Sequence, residues 1–421
     1  MNKKVIENAQ IGEKYIDATL PCGLKIYICP KPESSSYYAV FGTRYGSIDN
    51  RFKINDGEMI EVPEGIAHFL EHKLFESEDG DAFSKYAKTG ASANAYTSFD
   101  RTCYLFSCSE RFDENMDILL NFVQSPYFTK ETVDKEQGII GQEIRMYEDN
   151  PGWRVFFNML GGMFENHPVK IDIPGTVESI AEIDDKLLYS CYNAFYNPAN
   201  MFICVSGNVD ADKLIDKIST AIKVNEPVHV ERGTFSEPER VTKSFVSQKL
   251  AVSMPLFTLG FKEKCEKPNR TLKELVSTSV LLSMLFGATS PLYERLIEKE
   301  LINSNFDYEY FTGHGYAVPM ISGESNQAEQ VRDEIFAQIR KCKAEGLDKD
   351  QFESIRKSKL GQNIMSFNTV EGAVSAMIDS HMENVGLFDD IEVLKNLTCE
   401  DLQERLNTLN ENCAVLSVVT G

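Results

Sequence analysis

Two histidines lie four residues apart in the chain, at His68 and His72, and a glutamate, Glu71, precedes the second. In a helix, side chains at positions i and i+4 lie one turn apart on the same face. Two imidazoles in that arrangement can bind one Zn²⁺ ion, which takes about four ligands and keeps one position for water in a catalytic site. Glu71 projects near the same face, where its carboxylate can take a proton from such a water. The alternative is a solvated helix that happens to carry two of the chain's six histidines.

The residues around this pair predict a buried helix. Pro63 precedes the segment, and proline suits the first turn of a helix. The apolar residues of the segment form a stripe at Ile66, Ala67, Phe69, Leu70, Leu74 and Phe75. Buried imidazole nitrogens require partners, and a metal ion is a suitable one. Burial therefore favours the metal site over the solvated helix.

A zinc site needs a third protein ligand, and a second predicted helix, at residues 133–147, offers two carboxylates. Glu136 and Glu143 are seven residues apart, so they lie two turns apart on one face. One of them can bind the metal while the other supports a ligand or the substrate. The residues alone leave open which carboxylate has which role. They also leave open an ordinary acidic surface helix, because the chain contains 64 acidic residues.

The order His-x-x-Glu-His around Glu71, followed by Glu136 and Glu143, resembles the inverted zincins of the pitrilysin, insulin-degrading enzyme and mitochondrial processing peptidase family. This order reverses the commoner metalloprotease motif and keeps its three roles. The resemblance covers nearly the whole chain and indicates a bacterial processing-peptidase-like member. It implies that His68, His72 and Glu143 bind Zn²⁺, that Glu71 is the general base, and that Glu136 is a further catalytic carboxylate beside the ligands.

The resemblance also implies a substrate site and an activity. The run of residues 90–97 looks like the family's substrate-binding edge strand. In that strand Ala93, Asn94 and Ala95 would hold an extended peptide through main-chain hydrogen bonds. The expected activity is that of a zinc-dependent metalloendopeptidase or oligopeptidase acting on peptides or small proteins. Because the family includes members without hydrolytic activity, a peptide-binding or structural subunit of a heterodimeric peptidase is the alternative.

The chain is also a duplication. Residues 133–137 recur as residues 347–351, a shift of 214 positions. Each half mixes strand-like alternation with long helical periodicity, which predicts an α+β fold with antiparallel sheets and helices packed on them. We therefore expect two homologous domains, at residues 1–224 and 244–421, joined by a polar linker at residues 225–243. In the resembled family the two halves face each other as a clamshell around a chamber.

The second copy lacks the metal ligands. The positions that correspond to His68, Glu71, His72 and Glu143 are Thr278, Leu281, Leu282 and Lys357. None of these four side chains suits the role of zinc ligand or base. The sequence thus predicts one zinc site per chain, in the N-terminal half. The remaining histidines, which are isolated from one another, are expected to be structural or on the surface: His167, His229, His314 and His381.

One part of the family's site is missing from this sequence. Members usually contribute an Arg and a Tyr, seven residues apart, from the second half to hold the substrate and polarise its carbonyl. The resemblance places these positions at Ile297 and Ser304, while Arg295, Tyr308 and Tyr310 lie nearby at the wrong spacing. We therefore expect a heterodimer in which a homologous subunit supplies the pair, with a homodimer as the runner-up.

Composition limits the remaining possibilities. The net charge of −21 argues against nucleic acid, whose binding needs a basic surface. The first eight residues contain no apolar run of the kind found in secretory signals, and no stretch of about eighteen apolar residues is apparent. The ten cysteines are scattered without Cys-x-x-Cys spacing, as expected for reduced thiols. We therefore expect a cytoplasmic enzyme that does not interact with a membrane.

Overall fold

The computed structural model describes residues 1–78, 80–224, 228–265 and 267–421. Residues 225–227, at the start of the predicted linker, lie outside the described residues. The chain folds into two compact units, each assembled from three segments. The first unit contains Met1–Ile144, Asp172–Thr234 and Ile364–Leu387; the second unit contains Arg145–Ile171, Phe235–Asn363 and Phe388–Gly421. Each unit has a sheet with helices packed on it, which confirms the predicted α+β class.

The strands divide between the units in chain order. Those of the first unit are β1 (Asn2–Asn8), β2 (Glu13–Thr19), β3 (Lys25–Pro30), β4 (Tyr37–Thr43), β5 (Arg51–Ile54), β6 (Ile60–Glu61), β7 (Glu76–Ser77), β8 (Gly80–Asp81), β9 (Ser92–Thr97), β10 (Thr102–Cys108), β11 (Met201–Gly207) and β12 (Val230–Arg232). Those of the second unit are β13 (Phe245–Lys249), β14 (Leu256–Phe261), β15 (Asp307–Gly313), β16 (Tyr316–Glu324) and β17 (Ala414–Thr420).

The helices do not divide between the units in chain order. They are α1 (Ile66–Leu74), α2 (Ala82–Thr89), α3 (Phe112–Phe122), α4 (Lys130–Glu148), α5 (Pro151–Met163), α6 (Val177–Ile180), α7 (Asp185–Phe195), α8 (Ala211–Ala221), α9 (Leu272–Phe286), α10 (Pro291–Glu298), α11 (Ala328–Glu345), α12 (Lys349–Ser366), α13 (Val370–Glu383), α14 (Asp389–Asn396) and α15 (Cys399–Leu406). The two helices predicted to carry the site correspond to α1 and α4.

The sheet of the first unit has seven strands in the order β1-β2-β3-β11-β4-β10-β9. Its neighbouring strands are antiparallel except β3 and β11, which run parallel. The sheet of the second unit has the order β13-β17-β14-β16-β15, and β13 and β17 are its one parallel pair. A parallel pair requires a long crossover connection, which the alternation of apolar residues does not reveal. The sheets are thus mainly antiparallel, as predicted, with one parallel pair in each.

Two helices belong to the unit that is built mostly from the other half of the sequence. Helix α5 packs on β14 and β17 of the second unit, and Gly260 in β14 makes room for it. A Cβ atom on Gly260 would lie 2.6 Å from the sulfur of Met159 in α5. Helix α13 packs on β4 and β11 of the first unit, where Arg101 forms an ion pair with Asp379 at 3.0 Å. Each sheet is therefore covered by a helix from the distant half of the chain.

The predicted division into residues 1–224, 225–243 and 244–421 stays a prediction about sequence order. The polar segment predicted as a linker contains a strand, β12, which pairs with β5. Its pairing register joins Val230 to Ile54 and Arg232 to Phe52. Turn-forming composition predicted the connection but gave no indication of this pairing, since strand pairing depends on residues that are distant in sequence.

The segment Leu272–Glu298, which comprises α9 and α10, is long and apolar enough to span a membrane by length and composition alone. Its most apolar window has a mean hydropathy of 1.5, and 72% of that window is buried within the protein. Core helices of soluble proteins have the same properties, because a helix that is apolar on most faces is covered by protein on most faces. The side chains that α9 buries include Leu281, Leu285 and Phe286.

Candidate metal centre

Helix α1 positions the two predicted imidazoles and the glutamate between them. It starts after Gly65, whose backbone adopts a left-handed conformation with φ of +87°. A Cβ atom at this position would lie 2.2 Å from the carbonyl oxygen of Pro174, so only glycine fits. Phe69 and Leu70 are fully buried on the core side of the helix. The packed core therefore fixes the rotation of α1 and the direction of its polar face.

The second predicted helix, α4, brings Glu143 to the two histidines. Its oxygen Oε1 lies 3.6 Å from His68 Nε2, and its oxygen Oε2 lies 3.4 Å from His72 Nε2. One ligand atom from each of the three side chains lies within 4.8 Å of the other two. Val133, Ile140 and Ile144 of α4 are buried and hold the helix in place.

These separations fit the geometry of a zinc site. Zinc binds nitrogen and oxygen at about 2.0–2.2 Å in a tetrahedron, which puts neighbouring ligand atoms about 3.3–3.6 Å apart. The separations of 3.4 and 3.6 Å match that spacing and exceed the usual length of an N–H···O hydrogen bond. Nδ1 of His68 is buried and has no hydrogen-bond partner among the described residues. The donor set of two imidazoles and one carboxylate is typical of a catalytic zinc site.

Glu136 supports the histidine that lies between it and Glu143. Its oxygen Oε1 lies 3.0 Å from Nδ1 of His72, so the opposite nitrogen of that ring faces Glu143. A carboxylate in this position fixes the orientation of an imidazole ligand. The structure thus separates the two carboxylates by contact: Glu143 faces both imidazoles through Nε2, and Glu136 contacts only the far nitrogen of His72.

The electrostatics of this cluster favour a cation. Burial lowers the pKa of His72, but Glu136, Glu143 and Glu71 together outweigh burial and raise that pKa to about 10. Burial favours the neutral carboxyl of Glu143, yet its interactions with His68 and His72 hold its pKa well below the usual range. The pKa of Glu136 is also lowered, because contact with His72 outweighs its burial. Three carboxylates crowded around two imidazoles attract positive charge, which a divalent ion supplies.

Glu71 is buried and is held by a residue of the sheet. Thr97, the last residue of β9, donates a hydrogen bond of 2.6 Å from Oγ1 to Oε2 of Glu71. Thr97 is the last residue of the predicted substrate-strand run, residues 90–97, and local sequence patterns assign it no role because the contact joins positions 26 residues apart. The position of Thr97 at the end of that run is the one feature of the sequence that could have indicated its contact with the site.

The predicted substrate residues lie on the same strand. Ala93, Asn94 and Ala95 are in β9, which pairs with β10 and forms one edge of the seven-stranded sheet as the described strands build it. Exposed and half-buried residues alternate along β9, as in a strand with one covered face. The edge therefore ends, at Thr97, against the carboxylate of Glu71.

In the second unit, the residue that corresponds to His68 takes part in a different interaction. Thr278 is buried in α9 and accepts a hydrogen bond of 2.8 Å from Arg405. Arg405 forms an ion pair of 2.5 Å with Glu263, which also accepts a hydrogen bond from Tyr310. Among the described residues, His68, His72 and Glu143 are the group of His, Cys, Asp or Glu side chains arranged to hold a metal ion. The second unit thus has a buried ion pair, whereas the first unit has the candidate metal centre.

The two positions where the resemblance expects an Arg and a Tyr are exposed, and the nearby Arg295 and Tyr308 form hydrogen bonds within the second unit. Ile297 is 38% exposed in α10, and Ser304 is exposed in the turn before β15. Tyr308 donates to Ser283, and Arg295 donates to Pro291 and Gln338, all within the second unit. The neighbouring residues that resemble the missing pair are thus bound within their own unit.

Comparisons with known proteins agree with the geometry. The family model for insulinase (peptidase family M16) matches residues 50–177 of the chain. The family model for the peptidase M16 inactive domain matches residues 182–377. The chain is 40% identical over 419 residues to the uncharacterized zinc protease YmfH of Bacillus subtilis (strain 168), covering 98% of this chain and 96% of that protein.

Solved structures are similar over the whole chain. An M16-like peptidase from Alicyclobacillus acidocaldarius is 34% identical, with a TM-score of 0.93 and coverage of 99% of both chains. Pitrilysin is 17% identical, with a TM-score of 0.78 over 99% of this chain and 46% of pitrilysin. At that identity the second likeness concerns the fold alone.

Proposed function

Because the chain belongs to peptidase family M16, the insulinase family, we propose that it is a zinc-dependent peptidase that hydrolyses extended peptides. The observation that carries this proposal is the grouping of His68, His72 and Glu143, whose ligand atoms lie within 4.8 Å of one another. Glu71 lies on the same helix as the two imidazoles and is buried beside them. Ligands and a candidate base in one place are what metal-assisted hydrolysis requires.

His68, His72 and Glu143 would hold the zinc ion, with Glu136 orienting His72 through Nδ1. When bound, zinc supplies Lewis acidity toward the peptide carbonyl and lowers the pKa of a coordinated water to about 7. In this arrangement Glu136 acts on the reaction by positioning His72.

Glu71 is the general base of the proposal. Its carboxylate takes the proton of the attacking water and then delivers it to the amine nitrogen of the leaving group, so that the proton count balances. The Thr97 hydroxyl donates to Oε2 of Glu71, which leaves Oε1 free of that bond. Thr97 therefore fixes the direction in which the base presents its oxygen.

The substrate of the proposal is an extended peptide added to the edge of the sheet at β9. Main-chain hydrogen bonds to Ala93, Asn94 and Ala95 would hold it with little dependence on its sequence. The position of β9 supports this, because the strand ends at Thr97, in contact with the base. Peptides or small proteins with flexible segments are the expected substrates.

The proposal is tested by measuring zinc and peptide cleavage on the same purified chain. We expect one zinc per chain, cleavage of a peptide library read by mass spectrometry, and no zinc in the double variant His68→Ala, His72→Ala. Glu71→Gln should keep the zinc and lose about 10²–10⁴-fold in rate, as removal of a general base does. Two zinc ions per chain, or full zinc retention in the double histidine variant, would contradict the assigned site.

A second candidate function is favoured by Ile297 and Ser304, which stand where family members usually have Arg and Tyr. The chain would then be the zinc-bearing subunit of a heterodimer, inactive or weakly active alone, with a homodimer as the less favoured assembly. Zinc binding without cleavage by the isolated chain supports this candidate over the first.

The same proposal places the protein in the cytoplasm. All ten cysteines are free thiols in the structure, four of them buried and six half-buried. Reduced thiols are typical of cytoplasmic proteins. Fractionation of cells that express the tagged chain would test this assignment.

A further inference from the structure

The first unit has a cavity that shares no residue with the candidate metal centre. It is a cleft of about 630 Å³ between the strands β1, β2 and β3 and the C-terminal end of α13. Four cationic side chains line it, Lys4, Lys25, Arg44 and Arg232, and Asp17 is the one carboxylate among its lining residues. This balance reverses the charge of the chain as a whole, which is −21.

Two of the four cations are already paired with carboxylates. Arg232 lies 2.7 Å from the buried carboxylate of Asp49, and Lys25 lies 3.7 Å from Asp17. Among the described residues, Lys4 and Arg44 form no ion pair. Lys4 is exposed and Arg44 is half-buried. Because neither has a carboxylate partner in the described part of the chain, the cleft carries uncompensated positive charge, which is costly at the half-buried Arg44.

Arg44 instead donates hydrogen bonds to the C-terminal end of helix α13 and so completes its last turn. Its guanidinium donates to the carbonyl oxygen of His381 and to the side-chain oxygen of Asn384, at 2.9 Å for the latter. Burial, followed by the nearby charge of Arg232, lowers the pKa of Arg44. The helix end therefore holds the guanidinium in place at the cleft without neutralising it.

The hydrogen bonds of His381 determine the direction of a further donor. Arg44 can only donate, so Nε2 of His381, 3.1 Å from Nε of Arg44, accepts and carries no hydrogen. Burial and the charges of Arg44, Lys25 and Arg101 lower the pKa of His381 to about 3, so the ring is neutral and its hydrogen is on Nδ1. Nδ1 then donates to the hydroxyl of Tyr27 at 3.1 Å.

Tyr27 therefore has a hydrogen left to donate. Its hydroxyl accepts from His381, and its own hydrogen is available to another acceptor in the cleft that Tyr27 lines. Burial raises the pKa of Tyr27, so the phenol stays protonated. The cleft thus combines a fixed guanidinium, an oriented phenol and two lysines, which are all donors.

We propose that this cleft binds the phosphate or carboxylate group of a small organic anion, with Arg44 and Tyr27 as its directional donors and Lys4 and Lys25 as its charges. Arginine and phenol donors bind such oxyanions through charge-assisted hydrogen bonds. A cleft of about 630 Å³ lies within the range of small-molecule sites in proteins. The site is separate from zinc binding and from the peptidase reaction.

The test uses the full chain and three probes. Inorganic phosphate, pyrophosphate and acetate are titrated separately by isothermal calorimetry at constant ionic strength, with chloride as the background anion. Binding of phosphate or pyrophosphate alone supports the cleft and identifies the ligand as a phosphate compound, and binding of acetate alone supports it and identifies a carboxylate. Absence of binding by all three probes at millimolar concentrations overturns the proposal.

Variants locate the binding. Tyr27→Phe removes only the phenol hydroxyl, and we expect it to weaken binding about 10-fold, which corresponds to one hydrogen bond to a charged group. Lys25→Gln should weaken binding several-fold, whereas Lys88→Gln, which removes the same charge from an exposed position on α2, should leave it unchanged. Equal affinity of the Tyr27→Phe, Lys25→Gln and unaltered chains overturns the proposal. Because Arg44 also completes α13, Arg44→Met is interpreted only if its thermal unfolding matches that of the unaltered chain.

Discussion

The replacement Thr97→Val is the sharpest test of how the proposed base is positioned. Thr97 donates to Glu71 at 2.6 Å and lies 3.4 Å from the hydroxyl of Thr102. Thr102 donates its own hydrogen to the carbonyl oxygen of Tyr45 at 2.8 Å. The hydrogen of Thr97 is directed at Glu71, because a carboxylate oxygen is an acceptor and the distance to it is 0.8 Å shorter than the distance to Thr102. Valine keeps the β-branched shape and the strand preference of threonine, so the change removes one donor and little else.

The expected loss follows from the energy of that bond. A hydrogen bond to a charged group contributes about 1.5–3 kcal/mol, which equals roughly a 10- to 150-fold change in rate. The complete contribution of a general base, about 10²–10⁴-fold, sets the upper limit. We therefore expect Thr97→Val to lower kcat/KM by about 10- to 100-fold, while Thr97→Ser, which keeps the hydroxyl, stays within a few-fold of the unaltered chain.

The assay measures cleavage of a fluorescence-quenched peptide together with the zinc content of each variant. Zinc content should be the same in the unaltered, Thr97→Val and Thr97→Ser chains, because Thr97 does not contact the three proposed ligands. In the Glu71→Gln background, Thr97→Val should add little further loss, since both changes act on the same proton transfer. An additive loss in that background, or loss of zinc with Thr97→Val, would refute the assigned role of Thr97.

The remaining predictions concern the metal ligands, the partner and stability. Glu143→Gln should lose zinc and activity, whereas Glu136→Gln should keep most of the zinc and lose only part of the activity; metal analysis showing the reverse would mean that the two roles are exchanged. If a partner is required, adding a related chain that carries the Arg and Tyr but no zinc motif should raise peptidase activity at least 10²-fold; full activity of the isolated chain that is insensitive to replacing Arg295 or Tyr308 contradicts this. Burial lowers the pKa of His167 from 6.5 to about 4. Between pH 7 and pH 5 the unfolded chain therefore takes up a proton at this residue and the folded chain does not. The free energy of unfolding should fall by about 2 kcal/mol over that range. Urea unfolding of the unaltered and His167→Asn chains at both pH values measures this, and an equal pH dependence of the two chains would exclude His167 as the cause.

Local patterns predicted the parts of the site that lie on single helices. The spacing of His68 and His72 defines one face of α1, and the spacing of Glu136 and Glu143 defines one face of α4, because helical periodicity fixes which side chains lie together. The residues alone did not decide which glutamate faces both imidazoles. That assignment came from the resemblance, and the contacts of the two carboxylates are consistent with it.

Contacts between distant segments could not be predicted in this way. The bond from Thr97 to Glu71 joins a strand to a helix, and the bonds from Arg44 to His381 join positions 337 residues apart. The interpretation of His381 as an isolated structural histidine did not include the cleft that it helps to form. Such contacts depend on the packing of complete elements, which sequence periodicity constrains only weakly.

Helices α5 and α13 each pack on a sheet whose strands come mainly from the other half of the sequence. This arrangement has a consequence for synthesis of the chain on the ribosome. The central strand β11 ends at Gly207, but the helix that covers it, α13, ends at Glu383, so 383 − 207 = 176 further residues are translated before that cover is complete. At about 5–20 residues per second this takes roughly 10–35 s. During that interval the nascent first sheet exposes an apolar face. Helix α5 likewise has no sheet to pack on until β14 and β17 have been translated. The N-terminal half of this protein is therefore expected to depend on holding factors at the ribosome, and to finish folding only when translation is nearly over.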